Sequence, residues 1–374
     1  MDIVLITNSL AVGGVETNLL GLADSFHRRG HSVRVVSAGG ALRPELDARG
    51  ISHVTLPIRL APGALAASAL SLRRSLERGP AHIVHAMSAA GNLASLARPR
   101  GVRPAYVSSP MGLAQSDREP SWKTDLRNRL LVAAVDRVLV ISDEIARSLE
   151  RIGVPPRKMT RCPVVGLDID RFDAAEADGE RIRRELGIPP AAPVVTTIGA
   201  LHPRKRHDLF LAAAALVRRA VGHAHFIVVG EGYERDALRH RAEQLGLAGA
   251  VRFAGQRRDV RAILAATDVY VKPGIVEGFV GITVLEAMAA RVPVVAFDTH
   301  DVRAAIVDGE TGLIGPRGHP AALGGLIVRL LNDRGGARAL AEAGRLQVER
   351  RFALSVVASE LERIYTAVAD EAAR

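Results

Sequence analysis

The chain has little cysteine, few aromatic residues and no long apolar run. Its only cysteine, Cys162, excludes an internal disulfide and any metal site built from several cysteines, as expected in a reducing compartment. No stretch reaches the roughly 18 consecutive apolar residues that a membrane-spanning helix needs. The N-terminal sequence MDIVLITNSL lacks the basic region and the cleavage site of a secretion signal. We therefore expect a soluble, cytoplasmic protein.

The charge is unbalanced towards basic residues, with a formal net charge of +10 at pH 7. Such an excess attracts nucleic acid, anionic membranes or phosphorylated small ligands. Nucleic acid is disfavoured, because the arginines are spread along predicted helices and aromatic residues make up only 3% of the chain. Residues 60–76 are rich in alanine and leucine and carry Arg73 and Arg74. We favour an ordinary surface helix there over peripheral contact with a membrane.

Short apolar segments alternate with helical patterns along the 374 residues, which are enough for two domains. The alternation is typical of a parallel, doubly wound α/β sheet, and it occurs twice. The predicted strands are 3–6, 33–36, 83–84, 106–107, 138–141, 194–198, 226–229, 251–253, 269–271 and 293–296. Periodicity lapses in the small, acidic segment 173–180, so we predict domains at 1–172 and 180–352. The helical stretch 353–374 is too short to be a domain.

The most informative segment is DVYVKPGIVEGFVGITVLEAMAARVPVVAF, which predicts a strand, a loop, a helix and a strand. The loop contains Gly274, Gly278 and Gly281, which let the backbone approach a ligand, and it leads into a helix N-terminus that favours a phosphate. Glu277 in the loop and Glu286 in the helix are placed to accept hydrogen bonds from sugar hydroxyls. Taken singly, each glutamate is better explained as a solvated residue or as a partner of the helix dipole.

Together the two glutamates resemble the Glu, seven residues, Glu signature of retaining, nucleotide-sugar-dependent glycosyltransferases of family four, which reads roughly EGFG followed by EAMA. Here eight residues separate Glu277 from Glu286, and Val280 is the extra residue. The resemblance implies that Glu277 is a catalytic residue that holds the sugar hydroxyls and that Glu286 binds the ribose of the donor. It also implies donor contacts from Gly278, Phe279, Val280, Gly281 and Ile282.

The resemblance covers nearly the whole chain and implies a GT-B fold, in which two Rossmann-like doubly wound domains face each other across a cleft. The first domain would then bind the acceptor and the second the nucleotide-sugar donor. The last helix, at 353–374, would pack back onto the first domain.

A glycine pair, Gly13 and Gly14, opens the first predicted helix. A phosphate contact and a purely steric tight turn explain such a pair about equally well. The resemblance favours the phosphate, because Gly14 matches the family glycine whose amide faces the donor. The dinucleotide fingerprint Gly-x-Gly-x-x-Gly does not occur at this turn, which argues against a dehydrogenase.

A basic loop follows the first strand of the second domain and resembles the family loop that places cations on the donor diphosphate. Lys205 matches the family lysine, whereas Ala200 replaces the family arginine. A fixed cation would stabilise the charge that builds on the leaving nucleotide. We predict that Lys205 is catalytic and that one of the flanking arginines, Arg204 or Arg206, takes over the missing charge, with Arg204 preferred as the catalytic candidate. A solvated basic turn is the alternative.

The acceptor side carries a weaker pattern. The family often has a histidine where this chain has Pro110 or Met111, so that role does not transfer. His85 and Ser109, at predicted strand ends, are the acceptor-side candidates, although a lone histidine at a strand end is more often structural.

No metal or other cofactor is predicted. Asp168 and Asp170 form an Asp-x-Asp pair, but a metal bound to a diphosphate would need them beside the phosphate loops. GLDIDRF instead matches the family segment NGVDxxxF that precedes the interdomain linker.

The rim of the predicted donor site departs from the family pattern. His300, Asp301 and Ala304 stand where the family has two glycines and a glutamate. We interpret the altered rim as adaptation to a particular sugar or acceptor.

These features predict a retaining glycosyltransferase that moves a hexosyl or N-acetylhexosaminyl unit from a nucleotide diphosphate sugar, with UDP the usual carrier in the family. The acceptor is a hydroxyl of a small molecule, a lipid-linked saccharide or a saccharide end. Two alternatives stay open: a sugar-nucleotide epimerase or phosphorylase on the same fold, and a non-catalytic subunit that binds a sugar nucleotide.

Overall fold

A computed structural model describes residues 1–11, 13–58, 62–88, 92–96, 98–99, 104–109, 129, 132, 134–173, 176–275 and 281–373. The chain divides into two compact units. The first contains Met1–Leu167 and Phe352–Arg374, and the second contains Asp168–Arg351.

The first unit is built on a parallel sheet with the strand order β3-β2-β1-β4-β5-β6-β7 among the described residues. Its strands are β1 (Asp2–Ile6), β2 (Ser32–Ser37), β3 (Ser52–Thr55), β4 (Ile83–Ala86), β5 (Ala105–Ser108), β6 (Arg137–Val140) and β7 (Met159–Arg161). Its helices are α1 (Gly14–Arg28), α2 (Arg43–Ala48), α3 (Leu65–Glu77), α4 (Leu93–Leu96) and α5 (Asp143–Arg151). The inner strands are buried on both faces, which explains their continuous apolar sequences.

The second unit repeats this architecture with the order β10-β9-β8-β11-β12-β13. Its strands are β8 (Val194–Ile198), β9 (His225–Val229), β10 (Val251–Gly255), β11 (Val269–Lys272), β12 (Val294–Phe297) and β13 (Leu313–Gly315). Its helices are α6 (Glu176–Glu185), α7 (His207–Ala220), α8 (Arg235–Gln244), α9 (Val260–Ala265), α10 (Ile282–Ala289), α11 (His300–Ala305), α12 (Pro320–Asn332) and α13 (Arg334–Phe352). Both orders are Rossmann-like and leave a switch point at the carboxyl ends of two central strands, where open α/β sheets bind ligands.

The C-terminal helix α14 (Leu354–Ala373) belongs to the first unit. Leu354 packs so closely on α1 that a Cβ added at Gly21 would lie 3.3 Å from its side chain. Tyr365 lies with its ring centroid 5.5 Å from that of Phe26, and Glu362 Oε1 is 2.8 Å from His31 Nε2. The apolar face of α14 thereby completes the core beside α1.

The units part between Leu167 and Asp168, upstream of the segment 173–180 that the sequence suggests as a linker. Asp173 lies within the second unit, where its carboxylate is 2.8 Å from Arg291 and 3.3 Å from Arg345. Residues from Glu176 onward form α6. The acidic residues that resemble a linker composition therefore make ion pairs and a helix.

No helix in the described part of the chain combines the length and the apolar character needed to cross a membrane.

Candidate functional site

The carboxyl edge of the second sheet carries the predicted donor residues that the structure describes in the second unit. The strand order reverses between β8 and β11, so a crevice is expected where these two strands end. The segments that follow β8, β11 and β12 leave the sheet at this edge, and they contain Lys205, Gly281 and Asp301 respectively.

Lys205 ends a short 3-10 turn, Pro203–Lys205, directly before α7. His202 Nδ1 accepts a hydrogen bond from the Arg204 amide at 3.3 Å, which caps the turn. Arg206 then adopts a left-handed conformation with φ of 51°, which is unfavourable for a residue with a side chain and is typical of functional loops. The stem of Lys205 lies against Gly199, where an added Cβ would be 3.6 Å from Lys205 Cδ.

The two arginines beside Lys205 differ in their surroundings. Arg206 donates two hydrogen bonds to the carboxylate of Asp208, both at 2.9 Å, so its charge is matched within the loop. Arg204 is exposed.

The backbone of the loop after β9 packs directly against the backbone of the loop after β8. A Cβ at Gly230 would lie 1.9 Å from the Gly199 carbonyl oxygen, and one at Gly232 would lie 2.2 Å from that of Leu201. The Leu201 amide donates to the Glu231 carbonyl at 2.9 Å. Glycine is therefore required at both positions. The Gly-Glu-Gly run was not among the predicted site motifs, yet it is the feature of the sequence that signals this close contact.

His207, the first residue of α7, is buried and fixes the base of the same loop. Its Nε2 donates to the Ala200 carbonyl at 3.2 Å. Burial lowers the pKa of the imidazole to about 4, so the ring is neutral at neutral pH. His207 therefore shapes the loop and adds no charge to it.

Helix α10 begins at Ile282 with Gly281 as its N-cap residue, and it carries Glu286. Burial raises the pKa of the Glu286 carboxyl to about 7, and the charge of Arg171 opposes this rise. A carboxyl of this kind lies near half-ionisation at neutral pH, as is frequent at functional sites. Four residues predicted for the donor site, Glu277, Gly278, Phe279 and Val280, lie outside the described residues.

A buried ion pair that was not predicted from the sequence joins the ends of two strands. Lys272, the last residue of β11, has its Nζ 3.0 Å from Asp301 Oδ2 in the first turn of α11. Only 6% of the lysine side chain and none of the aspartate side chain is exposed. Lys272 Nζ also donates to the Gly274 carbonyl at 3.2 Å.

In the first unit, Gly14 is the first residue of α1, at the carboxyl end of β1. The preceding Gly13 is extended, and a Cβ there would come 2.6 Å from Glu16 Oε2. Burial raises the pKa of the Glu16 carboxyl, and a hydrogen bond from Ser9 opposes the rise. This turn places a carboxyl close to the glycine pair.

His85 and Ser109 are hydrogen-bonded to each other in the core of the first unit. His85 Nε2 is 2.6 Å from Ser109 Oγ, and His85 Nδ1 is 2.6 Å from the hydroxyl of Tyr365 on α14. His85 and Ser109 are both fully buried. Both ring nitrogens thus have partners inside the protein, and burial lowers the pKa of His85 to about 3.

We expect acidification to destabilise the first unit through His85. The unfolded chain binds a proton near the ordinary histidine pKa of about 6.5, whereas the folded ring stays neutral down to about pH 3, so stability is lost as pH falls between these values. At pH 5 His85 lowers the free energy of unfolding by about 2 kcal/mol. Thermal midpoints at pH 7 and pH 5 measure it, and His85→Gln should show a smaller drop between the two. An equal drop in both proteins would contradict this assignment.

Asp168 and Asp170 are exposed and flank the buried Ile169, whose carbonyl accepts a hydrogen bond from Arg345 at 3.4 Å. Within the described ranges, no group of three or more histidine, cysteine or acidic residues is arranged to hold a metal ion.

Two family models match the chain. "Glycosyl transferases group 1" matches residues 178–347, and "Glycosyl transferase 4-like domain" matches residues 13–164. These ranges lie in the second and the first unit respectively.

Curated relatives include the phosphatidyl-myo-inositol mannosyltransferase of Mycobacterium tuberculosis, 30% identical over 391 residues that cover 97% of this chain and 95% of that protein. The D-inositol 3-phosphate glycosyltransferase of Nocardia farcinica is 32% identical over 246 residues, which cover 62% of this chain and 54% of that protein. The match thus spans about half the length of the Nocardia protein.

Solved structures of the same fold include Anabaena HepE in complex with UDP-glucose, with a TM-score of 0.84 at 20% identity over 98% of this chain and 100% of that one. The sucrose-phosphate synthase of Thermosynechococcus elongatus has a TM-score of 0.82 at 20% identity, covering 98% and 99% of the two chains.

Proposed function

Because the chain belongs to the group 1 glycosyltransferases of family four, with the GT-B fold, we propose that it transfers a hexosyl or N-acetylhexosaminyl unit from a UDP-linked donor to an acceptor hydroxyl with retention of configuration. The observation that carries this proposal is the shared location of Lys205 and of the α10 residue Glu286 at the carboxyl edge of one sheet, beside its switch point.

The donor is proposed to lie along this edge. Lys205, with Arg204 as a second cation, faces the diphosphate, and Glu286 accepts hydrogen bonds from the ribose hydroxyls. Gly281 and Ile282 begin α10 and offer backbone amides to a phosphate or to the sugar. Glu277 is proposed to hold the sugar hydroxyls, and Gly14 keeps its predicted contact with the donor phosphate.

The proposed mechanism is a front-side displacement that needs no dedicated base and no metal. As the glycosidic bond breaks, negative charge builds on the departing phosphate, which accepts the proton of the acceptor hydroxyl. Lys205 lowers the barrier because its charge stabilises the leaving diphosphate more in the transition state than in the bound donor. The protein otherwise contributes positioning.

The acceptor is proposed to be a polyol or saccharide hydroxyl. Cyclitol derivatives are the first acceptors to assay, since two of the relatives are named for inositol phosphate and phosphatidylinositol. His85 and Ser109 are both fully buried. We therefore propose that they stabilise the acceptor side of the first unit from within its core and do not contact the acceptor themselves.

The test combines donor binding with product analysis. A thermal-shift panel of nucleotide sugars should show one donor that raises the melting temperature, since a ligand that binds only the folded state stabilises it. NMR of the product formed with that donor and a cyclitol, in the presence of EDTA, should show the anomeric configuration of the donor. An inverted product, or activity lost in EDTA and restored by magnesium, would contradict the mechanism. Turnover without an acceptor would favour the epimerase or phosphorylase alternative.

Donor affinity is expected to rise with pH through neutrality. Glu286 must be ionised to accept hydrogen bonds from two hydroxyls, and its pKa in the free protein is raised to about 7 by burial. From pH 6 to pH 8 the ionised fraction, and with it the affinity for UDP-glucose, should increase roughly tenfold. Calorimetric titrations at both pH values measure the change, and Glu286→Gln should bind weakly and equally at both. A flat profile for the parent protein would refute the role of this carboxylate.

A further inference from the structure

We propose that Lys272 and Asp301 form a positioning ion pair that fixes the backbone at the carboxyl end of β11 for the donor sugar, an inference that rests on the proposed donor site. The pair spans 3.0 Å in the interior of the second unit, with 6% and 0% of the two side chains exposed. Lys272 ends β11, and Asp301 lies just after β12.

Lys272 hydrogen-bonds the backbone that directly follows β11. Its Nζ donates to the carbonyl oxygen of Gly274 at 3.2 Å, and a Cβ at Gly281 would lie 3.8 Å from its Cε. A second cation, Arg317, donates from Nη2 to the carbonyl of the next residue, Ile275, at 2.5 Å. Two consecutive carbonyls after β11 thus accept hydrogen bonds from positively charged side chains.

Asp301 matches the charge of Lys272 and orients it. Beyond this ion pair, neither carboxylate oxygen of Asp301 has a hydrogen-bond donor among the described residues. The position is one where the resemblance leads us to expect glycine, so the carboxylate is a departure of this chain. Each of the two buried charges is compensated by the opposite charge of its partner.

Stability alone gives little reason to keep such a pair. Replacing a buried ion pair by apolar residues of similar volume is often neutral or stabilising, whereas removing one partner leaves an uncompensated charge. What the pair supplies here is a directed hydrogen bond to Gly274 at the carboxyl end of β11, beside the switch point. Small displacements of groups that position a substrate lower turnover strongly.

The experiment compares Lys272→Met, Asp301→Asn and the double variant, all close in volume to the parent residues. The matched control is Arg303→Met with Asp298→Asn, because these two form an exposed ion pair at 2.5 Å between α11 and the end of β12. Each protein is measured for its melting temperature, its calorimetric affinity for UDP, and kcat and KM with UDP-sugar and acceptor.

We expect both single variants to melt earlier and the double variant to recover most of the loss. With the donor saturating, the double variant should lose at least about tenfold in kcat while its affinity for UDP changes less than about threefold. The control should keep the parent values. Because a fold defect would reduce both quantities, the separation of kcat from UDP affinity identifies a positioning role.

A double variant with parental kcat would overturn the inference and leave the proposed function intact. A parent protein that binds no nucleotide would overturn the proposed function, and the inference with it. If the double variant is unstable, Lys272→Arg is measured in its place. This variant keeps the positive charge but displaces the hydrogen bond to the Gly274 carbonyl. A fall in kcat at unchanged UDP affinity then supports the pair, and an unchanged kcat overturns it.

Discussion

Replacing Lys205 by alanine is expected to lower the rate of sugar transfer by about 10²–10³ and to leave the fold intact. Lys205 ends the short 3-10 turn after β8, and its ammonium is proposed to face the donor diphosphate. Its effect should appear mainly in kcat, because charge on the diphosphate increases as the glycosidic bond breaks. Steady-state kinetics with saturating acceptor measure it.

Arg219→Ala is the control for a simple loss of positive charge, since Arg219 is an exposed cation in the last turn of α7, the helix that Lys205 precedes. It should retain parental kcat. A Lys205→Ala protein with unchanged turnover would show that this loop is a solvated basic turn. An equal loss in both variants would indicate that overall charge steers the donor and that Lys205 has no special place.

The fold could be predicted where strands are buried on both faces. Val194–Ile198 and Val294–Phe297 are continuous apolar or β-branched runs because helices cover both sides of a parallel sheet. The edge strands β3 and β7 and the short β13 were missed. Their sequences, Ser-His-Val-Thr, Met-Thr-Arg and Leu-Ile-Gly, are too short or too polar to predict a strand.

The residues of the candidate site could be proposed from sequence only where they lie in short motifs. Lys205 and Glu286 follow from short motifs, and the structure places both at one edge of the second sheet. Lys272 could not be recognised, because a lysine ending a strand looks solvated until the fold brings Asp301 within 3.0 Å of it. Tyr365 could not be recognised either, since it meets His85 from 280 residues away.

The surroundings of His85, an acceptor-side candidate, could not be predicted from the sequence. The sequence places His85 directly after the short apolar segment 83–84. A histidine there can face either an acceptor or the protein core, and the sequence does not distinguish the two. The structure buries it between Ser109 and Tyr365, where the neutral ring satisfies two hydroxyl groups.

The two glutamates of the donor segment should have separable effects, and the extra residue Val280 makes the separation informative. If the segment absorbs Val280, Glu277 still reaches the sugar, so Glu277→Gln should depress turnover by about 10² while sparing nucleotide affinity. Glu286→Ala should instead weaken UDP binding by about tenfold, since it removes charge-assisted hydrogen bonds to the ribose. Kinetics at saturating acceptor and calorimetry with UDP separate the two.

A different result is expected if Glu277 does not reach the donor sugar. Should Val280 turn Glu277 away from the donor, Glu277→Gln would be nearly silent, as for a solvated carboxylate. Glu286→Ala would remain damaging, because α10 starts at Ile282, after the extra residue, and its register is independent of Val280. That combination would remove the catalytic role of Glu277 and keep the donor site at α10. Lys272 and Gly281 would then be the residues that place the sugar, so the double variant of the buried pair should lose more turnover than Glu277→Gln.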